Sequence, residues 1–192
     1  MPTHGRQLPK GGKRQPLTGR PLPVSPRASV GGKVGLFLST YVNKVDRKGR
    51  VSVPATFRAA LPNRSEDFQG IVAFPSPKYS ALEGYGIDRI EEIVTRIDEL
   101  PLFSEEREYF ETMLAESHRL PFDPEGRIIL PGELIEHAGI TDSVAFVGLG
   151  RSFQIWAPAA YAAHKAAVHE RARQQGTQLS LGAAADRRRE RE

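Results

Sequence analysis

Cysteine is absent from all 192 residues of the chain. Without a thiol there is no disulfide framework, no Cys-ligated zinc or iron–sulfur site and no thiol nucleophile. Long apolar runs are missing as well: no uninterrupted stretch approaches the roughly 18 residues that a membrane-spanning helix needs. The basic N-terminus lacks the apolar middle region of a secretory signal, and six prolines in residues 1–33 oppose the amphipathic helix of a transit peptide. These absences point to a soluble, cytoplasmic protein, long enough to bury a self-sufficient core.

The charge that is present is unevenly spread. Residues 1–33 carry seven basic side chains and no acidic one, along with six Pro and six Gly. So little apolar surface cannot offset the entropy of ordering, so residues 1–36 are expected to form a disordered basic extension. From 34 to 170 the chain holds 14 basic and 20 acidic side chains, a net of −6, which makes the body acidic. The run Asp186-Arg-Arg-Arg-Glu-Arg-Glu192 reads as a solvated, mixed-charge tail. A basic extension adds counterion-release affinity for nucleic acid without reading sequence, or is a solvated segment with no dedicated role.

The most informative feature is an internal duplication. Residues 46–54 read DRKGRVSVP and residues 123–131 read DPEGRIILP, with Asp, Gly, Arg and Pro recurring at a constant offset of 77. Each copy continues into a short helical pattern (ATFRAAL, GELIEHA) and then an apolar strand (Ile71–Phe74, Val144–Val147). Each ends on a second apolar segment, Leu82–Tyr85 or Phe153–Trp156. A period of this length is too long for a solenoid and reads as duplication of one small unit. Each unit runs strand, Asp-x-x-Gly-Arg turn, strand, short helix, strand, strand. Two β-rich units of this size would be marginal alone and are expected to share one core.

The turn has a local logic. Asp46 and Asp123 can accept N–H bonds from the residues just after them, and Gly49 and Gly126 can supply a positive φ. Val51 and Val53 fall on one face with Ser52 opposite, while Pro54 and Pro131 end the strand and suit the start of a helix. Between the units, Ile87, Ile90, Val94 and Ile97 follow helical spacing up to Pro101. Ser104 is a candidate N-cap for a second helix with Phe110, Met113 and Leu114 on one side. A third helix begins near Pro158. The chain thus divides into the extension at 1–36, unit 1 at 40–87, a helical connector at 88–117, unit 2 at 118–161, and a C-terminal helix with charged tail at 162–192.

The candidate site is the first turn. Lys44, Asp46, Arg47, Lys48 and Arg50 sum to +3 within seven residues. Cations so crowded on an acidic body suggest a patch for a polyanion. Arg50 is the candidate for base edges, because a guanidinium makes a bidentate contact to guanine. Arg47, Lys48 and Lys44 are assigned to phosphates. The second turn, Asp123, Gly126 and Arg127 with Pro124 and Glu125, carries −1 and reads as mainly structural. Other constellations are weak. The five histidines show no ligand spacing, Gly148-Leu-Gly150 lacks a dinucleotide fingerprint, and no serine has a nucleophile context. An enzyme is therefore not expected, nor is any cofactor or metal.

Two copies of Asp-x-x-Gly-Arg-x-x-x-Pro, the lead-in FLSTYVNKVD, and the later HAGI with a strand ending in Ile155-Trp156 resemble the MraZ family of bacterial transcriptional regulators. The resemblance covers about Phe37 to His164. It implies a mainly β (α+β) fold, a duplicated AbrB-like swapped-hairpin β-barrel with a helical insert and a C-terminal helix, both units coming from one chain. It further implies a ring-shaped homo-oligomer, nucleoid-associated, that binds tandem short repeats in double-stranded DNA. Through these it would repress its own promoter and the division and cell-wall gene cluster, with no membrane partner and no small-molecule substrate. The family's DNA-contacting positions correspond to Asp46 and Arg50, with Lys48 between them, and in the second motif to Asp123 and Arg127. Similar proteins begin close to Phe37, so the preceding residues are either an arm particular to this chain or the result of a start placed too far upstream. Two other readings stand beside this one. One is a structural or protein-interaction module with non-specific nucleic-acid affinity; the other is an antitoxin-type DNA binder, against which the doubled unit argues.

Overall fold

The computed structural model describes residues 35–61 and 68–175. The basic extension up to residue 34 and the charged tail from 176 lie outside the described residues. The elements follow the expected order. Unit 1 contains β1 (Thr40–Lys44), β2 (Arg50–Ser52), α1 (Ala55–Ala60), β3 (Gly70–Pro75) and β4 (Ala81–Tyr85). Two helices follow, α2 (Ile87–Asp98) and α3 (Glu105–Ala115). Unit 2 contains β5 (His118–Pro121), β6 (Arg127–Ile129), α4 (Gly132–His137), β7 (Ser143–Gly148) and β8 (Phe153–Trp156), and α5 (Pro158–Gln174) completes the described chain. The class is mixed α+β.

The strands do not stay within their own units. A six-stranded antiparallel sheet runs β1-β7-β8-β4-β3-β5, and a two-stranded ribbon pairs β2 with β6. Exchanging each strand for its equivalent in the other unit reproduces the six-strand order read backwards, so the fold has a pseudo-twofold axis. At one end the axis passes through the partners Val51 and Ile128, and at the other through Glu83 and Gln154. The ladders stop short of a continuous circuit. The ribbon joins the sheet through the Val45–Val51 bridge on one side and the Asp123 N–H to Arg127 carbonyl bond (2.9 Å) on the other.

Burial explains why the units need each other. Val51 and Val53 from unit 1 and Ile128 and Leu130 from unit 2 face inward, each at most 2% exposed, while Ser52 and Ile129 face out. Beneath the ribbon, Phe57 of α1 sits among Phe37, Tyr41, Phe146 and Phe153, with ring centroids 5.2 to 6.2 Å apart. Leu134 of α4 fills the equivalent place in the other half and is fully buried. Edge-to-face aromatic contacts add to the burial, because the positive ring edge meets the negative ring face. On the sheet's other face Ala81, Ala145, Val147 and Trp156 are covered by Tyr79 and by Ala160 and Tyr161 of α5.

Helix boundaries follow their local chemistry. Pro54 and Pro131 occupy the N-cap positions rather than the first turn, with φ near −55° and extended ψ, and their carbonyls accept the first helical N–H bonds. Ser104 caps α3, its hydroxyl accepting the Arg107 N–H at 3.2 Å. In α2, Ile90 and Ile97 are buried as the spacing predicts and Ile87 is half-buried, but Val94 on the same spacing is exposed. By contrast α3 buries no residue, and Phe110, Met113 and Leu114 are only half covered. No described helix is long and apolar enough to cross a membrane.

Truncating Phe57 to Ala would remove the ring that four other aromatics contact. The loss of stability should be about 3–5 kcal/mol, the range for a buried Phe. Urea unfolding measures it, and a loss below about 1 kcal/mol would mean that this cluster is not the centre of the core.

Candidate nucleic-acid interface

The two Asp-x-x-Gly-Arg turns have the same skeleton. In the first, the Asp46 N–H donates to the Arg50 carbonyl at 3.0 Å and the Gly49 N–H donates to the Asp46 carbonyl at 2.9 Å. Asp46 Oδ1 accepts the N–H groups of Lys48 (2.9 Å) and Arg50 (3.0 Å), and Oδ2 accepts Arg50 Nε at 2.6 Å. In the second, Asp123 Oδ1 accepts from Glu125 (3.0 Å) and Arg127 (2.9 Å), and Oδ2 accepts Arg127 Nε at 2.7 Å. Gly49 and Gly126 have φ of 75° and 74°, where a side chain is strained. A Cβ on Gly49 would lie 2.8 Å from the Leu130 carbonyl oxygen, and one on Gly126 would collide with the Arg58 guanidinium. In both turns the aspartate thus holds the arginine side chain as well as the backbone N–H groups.

Each turn is also tied to the opposite unit. The Gly49 carbonyl accepts the Leu130 N–H at 2.9 Å, and the Gly126 carbonyl accepts the Val53 N–H at 3.1 Å. The ribbon's strand alternation then sets the outer face. Arg50 stands opposite Ile129 and Ser52 opposite Arg127, so the two arginines share one exposed surface on a diagonal. Lys44, Arg47 and Lys48 are all exposed around the first turn. The structure thus places Lys44, Asp46, Arg47, Lys48 and Arg50 on or beside the first turn, and Arg127 on the same face of the ribbon as Arg50.

Arg50 is gripped at Nε, and among the described residues its Nη atoms meet no acceptor. Its side chain is 37% exposed. A guanidinium whose Nε is pinned by a carboxylate has lost most of its rotamer freedom while keeping its outer donors, which favours a bidentate contact. Asp46 is fully ionised at neutral pH. The Arg50 backbone N–H holds its carboxyl below the ordinary 3.8 against a smaller desolvation, helped by the guanidinium and the Lys48 N–H. For Asp123 desolvation is the largest single influence and pushes upward, but the hydrogen bonds from Arg127 and Glu125 outweigh it and its carboxyl is also lowered from 3.8.

Two neighbours were not visible in the sequence. Asp142 precedes β7 and accepts the Val45 N–H through its carbonyl at 2.8 Å. Its carboxyl is lowered first by the Ser143 and Thr141 hydroxyls, with the Lys44 charge adding to the effect. It therefore offsets part of the first turn's positive charge, and only the β1–β7 pairing brings it there. Arg58 of α1 lies against Gly126 and donates from Nε to the Val53 carbonyl at 3.2 Å. No motif marks it.

Several polar groups away from the turns serve packing. Gln154 Nε2 and Ser76 Oγ both donate to Glu83 Oε1 at 2.8 Å, and Trp156 Nε1 donates to Gln154 Oε1 at 2.9 Å. His164 stacks on Trp156 with centroids 5.0 Å apart, and His118 pairs with Glu133 at 3.1 Å. Among the described residues no three His, Asp or Glu side chains gather where they could hold a metal ion.

Comparison with known proteins supplies the relationship. The family model described as "MraZ protein, putative antitoxin-like" matches residues 113–182. A transcriptional regulator MraZ from Pelagibacter ubique is 48% identical over 138 residues, which is 71% of this chain and 88% of that protein. The chain belongs to the MraZ family. Transcriptional regulators MraZ from Rickettsia bellii and Rickettsia akari are 49% and 45% identical over 127 and 143 residues, covering 65% and 74% of this chain and 83% and 95% of theirs. The MraZ relationship thus agrees with the doubled turn that identified the family in the sequence.

Both turn aspartates are lowered from 3.8, so the unfolded chain binds more protons than the folded one as pH falls past that value. Their contribution is fully present above about pH 4 and disappears as pH drops through the lowered values. Asp46→Asn and Asp123→Asn should each lower stability at pH 7 and flatten its decline on acidification. Urea unfolding between pH 7 and about pH 2 reads both effects. Curves parallel to wild type would show that the carboxylates do not contribute to the linkage.

Proposed function

We propose that this protein is a DNA-binding transcriptional regulator that reads duplex DNA through the Asp46–Arg50 turn. The observation that carries the proposal is the disposition of Arg50: pinned by Asp46 at Nε, on the ribbon's outer face, with the exposed Lys44, Arg47 and Lys48 within six residues of it in sequence. Arg50 would contact guanine in the major groove, and the three other cations would set register on the phosphates. Asp46 is a positioning residue, because it acts through Arg50. The relatives' designation as transcriptional regulators supports the same reading.

A single turn of this size is a weak reader, and assembly multiplies it. The exposed apolar side chains Leu36, Leu38 and Val42 near β1, with Leu102, Phe103 and Tyr109 around the helical hairpin, are surface that a subunit interface would cover. A homo-oligomeric ring presenting one basic turn per subunit would engage tandem promoter repeats through effective concentration. Bound across its own promoter and that of a division and cell-wall gene cluster, it would block polymerase. The protein would then reside on the nucleoid.

The test compares the duplex directly upstream of the protein's own coding sequence with a scrambled duplex of equal length, across a salt series. Wild type should bind the first selectively, and Arg50→Ala should lose that selectivity, costing about 1–3 kcal/mol per reading contact. Equal binding to both duplexes, unchanged by Arg50→Ala, would refute the reading. Moving the repeats apart by half a helical turn, about 5 bp, should cost most of the affinity if adjacent subunits engage adjacent repeats. Unchanged affinity would remove the ring from the mechanism.

A further inference from the structure

The two turns are equivalent about the pseudo-twofold axis, yet they differ at three of their five charges. By the 77-residue offset Lys44 corresponds to Pro121, Arg47 to Pro124 and Lys48 to Glu125; Asp46 keeps its equivalent, Asp123, and among the cations only Arg50 does, as Arg127. Lys48 and Glu125 are held by the same backbone bond, N–H to aspartate Oδ1, at 2.9 and 3.0 Å. The skeleton therefore presents opposite charges at matching positions. The consequence falls on Arg127. Its Nε is 2.7 Å from Asp123 Oδ2 and its Nη2 is 2.9 Å from Glu125 Oε2, whereas among the described residues Arg50 pairs with one carboxylate only.

We infer that Glu125 holds Arg127 in reserve and so makes the ribbon a one-sided reader of duplex DNA. This rests on the DNA-binding reading above and specifies how that site is restricted. A guanidinium offers five N–H donors, and the two carboxylates take both an inner and an outer one while neutralising its charge. To reach a phosphate or a guanine edge, Arg127 must break the Glu125 contact and bring that carboxylate towards the phosphate backbone, against like-charge repulsion. Asp123 cannot be the discriminating residue, because its equivalent Asp46 pins Arg50 in the same way. Glu125 is the difference. A chemically symmetric ribbon would seat on a duplex equally well in either orientation; quenching Arg127 adds to the direction that Lys44, Arg47 and Lys48 already give it.

Glu125 has a side chain 63% exposed, so its ion pair contributes little to stability and its removal leaves the fold intact. The experiment is a double-mutant cycle on the upstream and scrambled duplexes, with wild type, Glu125→Gln, Arg127→Ala and the double variant titrated across salt. Arg127→Ala alone should weaken binding by less than about threefold. Glu125→Gln should tighten it by about fivefold or more and steepen the dependence of log Kd on log salt by about one unit, as one added phosphate contact does. That gain should vanish in the double variant. A silent Glu125→Gln, or the same gain without Arg127, would overturn the inference while Arg50-dependent selective binding still stood. Wild type that showed no Arg50-dependent selectivity would overturn the DNA reading and this inference with it.

Discussion

Each half of this protein completes the turn of the other. The Gly49 carbonyl is satisfied by Leu130 and the Gly126 carbonyl by Val53. Because these bonds sit where each strand enters its short helix, neither turn can be fully hydrogen-bonded without the opposite unit. The same exchange recurs at larger scale, with β1 on β7, β5 on β3 and β2 on β6. The core follows from it, since Val51, Val53, Ile128 and Leu130 come from both sides of the ribbon and meet over Phe57 and Leu134. A unit on its own would present half a ribbon over an unfilled core.

Much of this was legible in the sequence for identifiable reasons. Turns advertise themselves through residues with restricted jobs, and Asp, Gly and Pro at fixed spacing mark both turns and both helix starts. The 77-residue offset then revealed the duplication without any structural information. Helices α2 and α3 were visible through 3.6-residue periodicity and the Ser104 cap. Pairing was harder. Nothing local indicates that Thr40 faces Val147 rather than a neighbour in its own unit, because strand partners are chosen by the whole core. For the same reason Asp142 beside Lys44 and Arg58 on Gly126 could not be read beforehand; each is placed by an element distant in sequence. How far α3 is covered was not legible either, since a helical pattern identifies an apolar side but does not state how much of it the same chain will bury.

Asymmetry within the pseudo-symmetric frame carries the functional content. At the Glu83–Gln154 end of the axis the two halves already differ, with neutral Gln154 donating to the Glu83 carboxylate across the strand pair and Trp156 and Ser76 completing the network. At the ribbon end the difference lies in exposed charge. Lys44, Arg47 and Lys48 have Pro121, Pro124 and Glu125 as their equivalents, and Arg58 has Ile135. A frame made from two identical chains could not separate these roles, since any substitution would appear on both sides at once. Fusion into one chain lets the backbone bonds stay duplicated while the side chains diverge.

The exchange of strands also governs how the protein is made. Thr40 finds its partner Val147 only after about a hundred further residues have been synthesised. At roughly 5–20 residues per second, the first half leaves the ribosome several seconds before the strands that will pair with it. During that interval β1, β2 and the Phe57 ring have no core to enter. Slow translation between Pro54 and Trp156 would prolong that exposure.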